Sequence, residues 1–550
     1  MAQRHVVVLG SGGSGLTAAV AAHDSGARVS VFEKHHQIGG TTAWSGGLVW
    51  IPNNHHEQAL GVADSREEAL TYLMALSNDM IDPSLAEAFL DAGPVMVRYL
   101  EDNTPVRFRP IPGFPDYHAE HPGGKPDGGR ALDCPLYPFT ELGDWADRIT
   151  RSPYFQDPRI SICDTPLGQV EPRPFDFEEI ARRGEADERG NGQALIGRLM
   201  RACLERGIEP RTSCRALELL TEDGRVAGVR IETPEGEITE RADAVILATG
   251  GFEWNEDFKR AFLRGPMTHP VSIATNTGDG LKMAMKAGAM LGNMREAWWM
   301  PVVEVPTEEV STGLSLVAGQ RSLPRSIMVN RKAQRFVNEA TNYNAFGPAF
   351  HEQDANAFDY RNLPCWLIFD QGYVDLYGFG MMGGVPGEPP PQWVTRAPTL
   401  AALAERIGVE AGALEATVQR WNQQVAAGRD EDFGRGEAAH DIWWGDAARR
   451  GGPEATLGPL DRGPYFAVEI KSGALGTKGG PRVDQNANVL DLDGQPIPGL
   501  YAAGNVMSSP LGMTYGGPGG TISCALVFGF LAGWDAGGQP LLPLREAAAP

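Results

Sequence analysis

Four apolar residues in a row, Val6 to Leu9, open the chain, and a run with no polar break reads as a strand buried on both faces. Gly10, Gly12 and Gly15 follow at GxGxxG spacing, and the Ala-rich stretch 16–22 then reads as a helix. A second strand, 28–32, ends in Glu33. Residues 65–103 carry apolar side chains at helical spacing: Ala69, Leu73 and Leu76, then Leu85, Phe89, Val95 and Tyr99 beyond Pro83. A helix is expected over 192–206. Three short runs, 216–221, 226–233 and 237–241, are separated by Asp223-Gly224 and Glu235-Gly236 and predict strands joined by turns. The stretch Ala242-Asp-Ala-Val-Ile-Leu-Ala-Thr-Gly-Gly-Phe, apolar from Ala244 to Ala248 and ending in a glycine pair, reads as a buried strand returning beside the first. Helices are predicted over 282–291 and 411–427, with a less regular region from about 301 to 470. Near the end, a second glycine-rich turn, 511–523, opens an apolar helix at 524–534.

The first strand, turn and helix have the physical logic of a dinucleotide site. Gly10 makes the tight turn, Gly12 lets a pyrophosphate approach the backbone, and Gly15 lets helix and strand pack closely. The helix N-terminus offers free N–H groups and a positive dipole end to phosphate. Glu33 stands where an acidic residue binds ribose hydroxyls. The uncharged loop Ile38-Gly-Gly-Thr-Thr-Ala-Trp-Ser-Gly-Gly-Leu-Val-Trp-Ile-Pro-Asn-Asn is suited to wrap a cofactor through its backbone, and Trp44, Trp50 and Ile51 point to its burial. Asp279 is positioned to cap the helix after it. Gly378-Phe-Gly-Met-Met-Gly matches GxGxxG by letter, but Gly384, Val385 and Pro386 follow instead of a helix. No second nucleotide fingerprint remains, so no NAD(P)H domain is expected.

With 550 residues, 42% hydrophobic and 21% charged, the chain has room for two or three domains of ordinary globular composition. Its formal net charge of −22 disfavours nucleic acid and anionic membranes as partners. The first strand begins within a few residues of Met1, so no secretory leader is expected, and no apolar run reaches membrane-span length. Six cysteines are scattered without a CxxC pair, which indicates neither structural zinc nor an iron–sulfur cluster, and free thiols in a reducing compartment are expected. The absence of CxxCH argues against a c-type haem. Tyr117 and His118 lie in a Pro/Gly-rich loop, the kind of irregular backbone on which functional groups often sit.

Gly10, Gly12 and Gly15 with Glu33, Gly39-Gly-Thr-Thr with Ser45-Gly-Gly, Ala248-Thr-Gly-Gly, Asn276-Thr-Gly-Asp-Gly and Gly499-Leu-Tyr-Ala-Ala-Gly-Asn form a specific set. Together they resemble the flavoprotein family of fumarate reductases and 3-ketosteroid dehydrogenases, over essentially the whole chain. The resemblance implies noncovalent FAD and an α/β fold: a split Rossmann-like FAD-binding domain, 1–300 and 471–550, with an inserted α+β catalytic domain, 301–470. It implies that FAD is held by Gly10, Gly12, Ser14 and Gly15, by Glu33 and Lys34, and by Gly40, Thr41, Thr42, Ser45, Gly46 and Gly47. Ala248, Thr249, Gly250 and Asp279 complete one side, and Gly504, Asn505, Gly520, Thr521 and Ile522 the other.

Fumarate reductases place one arginine shortly after an Arg-Phe-x-Asn-Glu motif and another before the last glycine pair. Here Tyr343 stands at the first position and Tyr515 in the second region, where residues 511–523 hold no arginine. A dicarboxylate needs fixed positive charge, so phenols imply a neutral substrate. Tyr515-Gly-Gly-Pro-Gly, Tyr343 after the Asn-Glu motif, Tyr117 before Pro122-Gly-Gly, Leu475-Gly-Thr-Lys-Gly-Gly and Trp50-Ile-Pro-Asn-Asn resemble the 3-ketosteroid Δ1-dehydrogenases. Gly516 and Met513 depart from that pattern, where a proline and a histidine are expected.

That resemblance implies α,β-desaturation of a cyclic ketone, a 3-ketosteroid foremost. Tyr515 and the Gly519 N–H would hold the carbonyl oxygen, Tyr343 would take the α-proton, and Tyr117 would donate a hydrogen bond to Tyr343. Trp298, Trp299, Phe346 and Met513 either line an apolar pocket or pack in the core. Desaturation at the 4-position, a small alicyclic ketone, an ene-reductase, and an FAD subunit passing electrons to a partner are the alternatives. An external electron acceptor, quinone or protein, is expected, as is a cytoplasmic location, with loose membrane association as the alternative.

Overall fold

The opening apolar run forms strand His5–Leu9, every residue of it buried. In the computed structural model, which describes residues 3–155, 157–308, 312–379 and 384–539, this strand lies at the heart of a five-stranded sheet. Its neighbours are Arg28–Phe32 on one side and Ala244–Leu247 on the other, both parallel to it. Strand Pro496–Ala502 extends the sheet in parallel, and Asn488–Leu490 closes it antiparallel. The chain therefore leaves this sheet after 247 and returns to it at 488. An antiparallel meander, Arg215–Glu222, Arg225–Thr233 and Gly236–Arg241, forms a separate three-stranded sheet.

The helix after the first strand is longer than its pattern, Gly13–Asp24. It packs against the C-terminal helix, which spans Gly520–Gly537 rather than 524–534. At 18 residues the C-terminal helix is long and apolar enough to cross a membrane, but 83% of it is buried inside the protein. Residues 65–103 divide into Arg66–Ala75 and Pro83–Asn103, and the latter begins with Pro at its first turn behind an Asp82 cap. The loop after Glu33 holds a short helix, Gly40–Trp44, and a strand, Val49–Trp50. Within it Trp50 and Ile51 are fully buried, while Trp44 is partly so.

A second, seven-stranded sheet is organised by the long strand Tyr465–Thr477. Antiparallel partners are Ala297–Glu304, Cys365–Asp370 and Thr395–Ala397. Strands 297–304 and 465–477 each run through an expected boundary, at 300 and at 470. The helix expected over 282–291 lies earlier, at Asp279–Lys286, and Gly278 is its cap. Asp279 does not cap because Lys34 and Arg215 hold its carboxylate, at 3.0 and 2.9 Å. Helix Ala411–Ala427 matches its pattern to the residue. Part of the segment lettered GxGxxG, 380–383, lies outside the described residues. All six cysteines are free thiols.

Candidate active site

Between the two sheets lies a cavity of about 900 Å³. Its floor is the glycine turn after the first strand. Gly10 has φ +111°, and a Cβ there would fall 2.2 Å from the Ala248 carbonyl oxygen, so only glycine lets strands 5–9 and 244–247 end side by side. A Cβ on Gly15 would fall 2.0 Å from the Gly10 carbonyl oxygen, the close helix-to-strand contact expected of that position. Gly12 is the N-cap of helix Gly13–Asp24 and faces the cavity. Thr249 Oγ1 is buried without a protein partner and lines the same space. A helix N-terminus, bare backbone and an unpartnered hydroxyl fit the pyrophosphate and sugar of a dinucleotide.

Every residue expected to hold the cofactor lines this cavity except Gly15 and Gly520, which act behind the wall through packing. Glu33 is already engaged: Ser11 N–H and O–H donate to its Oε2 at 2.8 and 2.7 Å, and His35 N–H to its Oε1 at 2.8 Å. Oε2 thus has both lone pairs engaged, while Oε1 keeps a second one for a ribose hydroxyl. Lys34 donates to Thr277 Oγ1 at 2.6 Å and to the Thr275 carbonyl at 3.1 Å, besides pairing with Asp279.

Tyr117, Tyr343, Tyr515 and Gly519 also line the cavity, and the structure brings the three phenols together from three distant loops. Their ring centroids are 5.6 Å apart for Tyr117 and Tyr343, 5.1 Å for Tyr117 and Tyr515, and 5.5 Å for Tyr343 and Tyr515. Tyr117 O–H donates to the Tyr343 oxygen at 3.1 Å, and Thr521 O–H donates to the Tyr515 oxygen at 3.0 Å. Thr521 lies in the first turn of the C-terminal helix, whose N-cap is Gly519 at φ +99°.

Each loop is anchored. The Tyr117 loop joins strands Arg109–Pro112 and Gly128–Asp133. Asp116, fully buried, accepts from Trp50 Nε1 at 2.7 Å, Arg130 Nη1 at 2.7 Å and Lys125 N–H at 3.0 Å. Tyr117 N–H and Tyr72 O–H both donate to the Gly516 carbonyl, at 3.0 and 2.6 Å, which ties that loop to the one carrying Tyr515. Asn344 Nδ2 donates to the Met513 carbonyl at 2.9 Å and ties the Tyr343 turn to the same loop. Asn342 Nδ2 meets His118 Nε2 at 2.8 Å and ties the remaining two together.

Burial pushes all three phenols above the ordinary tyrosine range, Tyr117 and Tyr343 well above it. Opposing this, Arg321 lies fully buried behind Tyr117, and its charge pulls the Tyr117 phenol back down. Arg321 donates to the carbonyls of Val317 at 3.1 Å and Thr341 at 2.6 Å, and burial lowers its own pKa to about 9.

Trp298, Trp299, Phe346 and Met513 stand behind the wall rather than in it. Trp298 presents its edge to Tyr515 at 4.9 Å and donates to Asn505 Oδ1 at 3.0 Å, while Trp299 packs on His351. The outer wall comes instead from 154–155 and 157–175, including Tyr154, Phe155, Ile162 and Leu167, together with Phe114 and Trp444. The only sign of that wall in the sequence is aromatic residues inside Pro-rich coil. Lys34 is the one lysine or arginine lining the cavity among the described residues, and its bonds are already made.

A family model described as an FAD binding domain matches residues 5–522. The chain is 38% identical over 546 residues to 4-oxocyclohexanecarboxylate 2-dehydrogenase of Sinomonas cyclohexanicum, covering 97% of this chain and 93% of that one. It is 37% identical over 560 residues to 3-oxosteroid 1-dehydrogenase of Mycobacterium tuberculosis, covering 96% and 97%. Among solved structures, 3-ketosteroid Δ1-dehydrogenase of Sterolibacterium denitrificans, in complex with 1,4-androstadiene-3,17-dione, matches with a TM-score of 0.88 at 33% identity, covering 98% and 100%. The glycine cradle and these matches along nearly its whole length agree: the chain belongs to the FAD binding domain family, and FAD is its cofactor.

Proposed function

We propose that this protein desaturates a neutral ring ketone, a 3-ketosteroid at its 1,2 bond, through the three phenols. Bound FAD supplies the acceptor for the hydride from the β-carbon. Tyr515 O–H and the Gly519 N–H hold the carbonyl oxygen and bond it more strongly as enolate charge develops, which lowers the barrier. Tyr343, as phenolate, takes the α-proton. The hydrogen bond donated by Tyr117 at 3.1 Å would favour that phenolate, while burial and the neighbouring Tyr117 and Tyr515 phenols push the Tyr343 pKa up. A quinone or protein outside the chain then takes the electrons onward.

The observation that carries this reading is the buried phenol trio in an apolar cavity whose one lining cation among the described residues is engaged. Among the described residues, a carboxylate-bearing ring of the kind named for the Sinomonas relative has no free guanidinium or ammonium lining the cavity to meet, while Asp157 lines the wall. Anaerobic photometry of the flavin band tests it with a 3-ketosteroid, cyclohexanone and 4-oxocyclohexanecarboxylate. The steroid is expected to bleach the flavin fastest. Bleaching by the carboxylate alone would overturn the assignment.

A further inference from the structure

His118 and Asn342 have so far only tied two loops together, yet each is the sequence neighbour of a phenol in the trio. Asn342 is 1% exposed. Its Oδ1 accepts the N–H groups of Asn344 and Ala345, at 3.0 and 3.2 Å, and so caps the turn that begins at Tyr343. Those two bonds fix the amide's orientation and turn its Nδ2 toward His118. The 2.8 Å contact is a hydrogen bond only when His118 Nε2 offers a lone pair. A neutral imidazole with its proton on Nδ1 meets that demand, and Nδ1 lies 3.5 Å from Glu120 Oε1.

We propose that His118 and Asn342 form a clip that sets the Tyr117–Tyr343 hydrogen bond, and that protonation of His118 opens it. His118 is thus a positioning residue for the desaturation, and the inference rests on Tyr343 being the base. Protonated, Nε2 becomes a donor facing a donor. The amide cannot rotate to answer without giving up both bonds that cap the Tyr343 turn. The groups facing His118 are few. Glu120 and His121 come from its own loop, with His121 edge-on at 5.8 Å. Tyr72, from helix Arg66–Ala75, accepts the His118 backbone N–H at 3.1 Å. His440, from helix Ala439–Trp444, is held neutral by burial and stacks edge-to-face on Tyr117 at 5.0 Å.

The test is the pH profile of substrate-driven flavin bleaching in FAD-loaded protein. His118→Gln keeps an acceptor that does not titrate. It is expected to retain turnover and to lose activity less steeply toward acid than the parent. His118→Leu removes the acceptor and is expected to lose roughly ten- to a hundredfold in kcat at every pH, with KM little changed, as a misplaced base should. Asn342→Asp keeps the cap but offers an acceptor to the clip. It is expected to work best when His118 is protonated, reversing the acid limb. A parental acid limb in both the Gln and Asp variants would overturn the clip. Tyr343→Phe, run alongside, separates the two ideas: if that variant keeps near-normal turnover, the base assignment itself falls.

Discussion

Lys478 carries an ammonium to a place fully closed to solvent. It donates to the carbonyls of Met513 at 3.0 Å and Thr514 at 2.6 Å, just before Tyr515, and lies 4.1 Å over the Trp298 ring. Trp298 in turn backs Tyr515. The lysine thus braces the loop that presents one phenol, and burial lowers its pKa to about 7. Its folded value lies below its unfolded value, so between about pH 7 and the ordinary lysine value near 10.4 the unfolded chain binds more protons. Stability from this group therefore rises with pH across that window. Urea unfolding of the holoprotein should show the parent gaining stability over Lys478→Met between pH 7 and pH 9. A constant difference between the two proteins would show that Lys478 does not titrate there.

Helices Gly13–Asp24 and Gly520–Gly537 pack closely on one another. Gly529, Gly533 and Gly537 recur every four residues along the C-terminal helix and face Ser14, Ala18 and Ser25 on or beside helix Gly13–Asp24. A Cβ on Gly533 would fall 2.3 Å from the Ala18 carbonyl oxygen. Backbone there cannot yield as a flexible side chain would. Gly533→Ala should therefore destabilise the protein by about 1–3 kcal/mol, the usual result of overpacking, seen as a lower Tm. If the interface had slack, alanine would instead stabilise by its helix propensity, about 1 kcal/mol. The sign of the change in Tm thus reads out the closeness of the two helices.

Across the whole molecule, the residues proposed to hold FAD come from distant parts of the chain: the turn at Gly10, the loop at 40–47, residues 248–250 and Asp279, and the residues from Gly504 to Ile522. The seven-stranded sheet lies in sequence between those parts. A ligand that binds only the assembled protein stabilises it by mass action, by about 2.7 kcal/mol at a hundred times Kd. Stripping FAD should lower the Tm, and re-adding FAD should restore it in a concentration-dependent way. A Tm indifferent to FAD would mean that FAD does not bind the folded chain in preference to the unfolded one.

The cofactor half of the fold was legible because its signals are local. Strand, glycine turn, helix, strand and Glu33 all fall within 33 residues, and the apolar runs at 6–9 and 244–247 admit little but buried strands, with the alternating 28–32 beside them. Where local signals competed with partners far away, the reading failed. Asp279 looked like a cap until Lys34 and Arg215 claimed it, and the C-terminal helix extends through glycines that only its packing against the first helix explains. The wall formed by 154–155 and 157–175 has no periodicity to read, since it is irregular apart from two one-turn 3-10 helices, Ile162–Asp164 and Pro166–Gly168. The tyrosines could be named one by one, by resemblance. Their meeting could not be read, because Tyr117 and Tyr343 are 226 residues apart and His118 and Asn342 are 224 apart. The residue types and their order determined the nucleotide cradle and the supply of phenols. Only tertiary packing, through Asp116 with Arg130, Lys478 beneath 513–514, and His118 against Asn342, decided that three loops should deliver those phenols to one place.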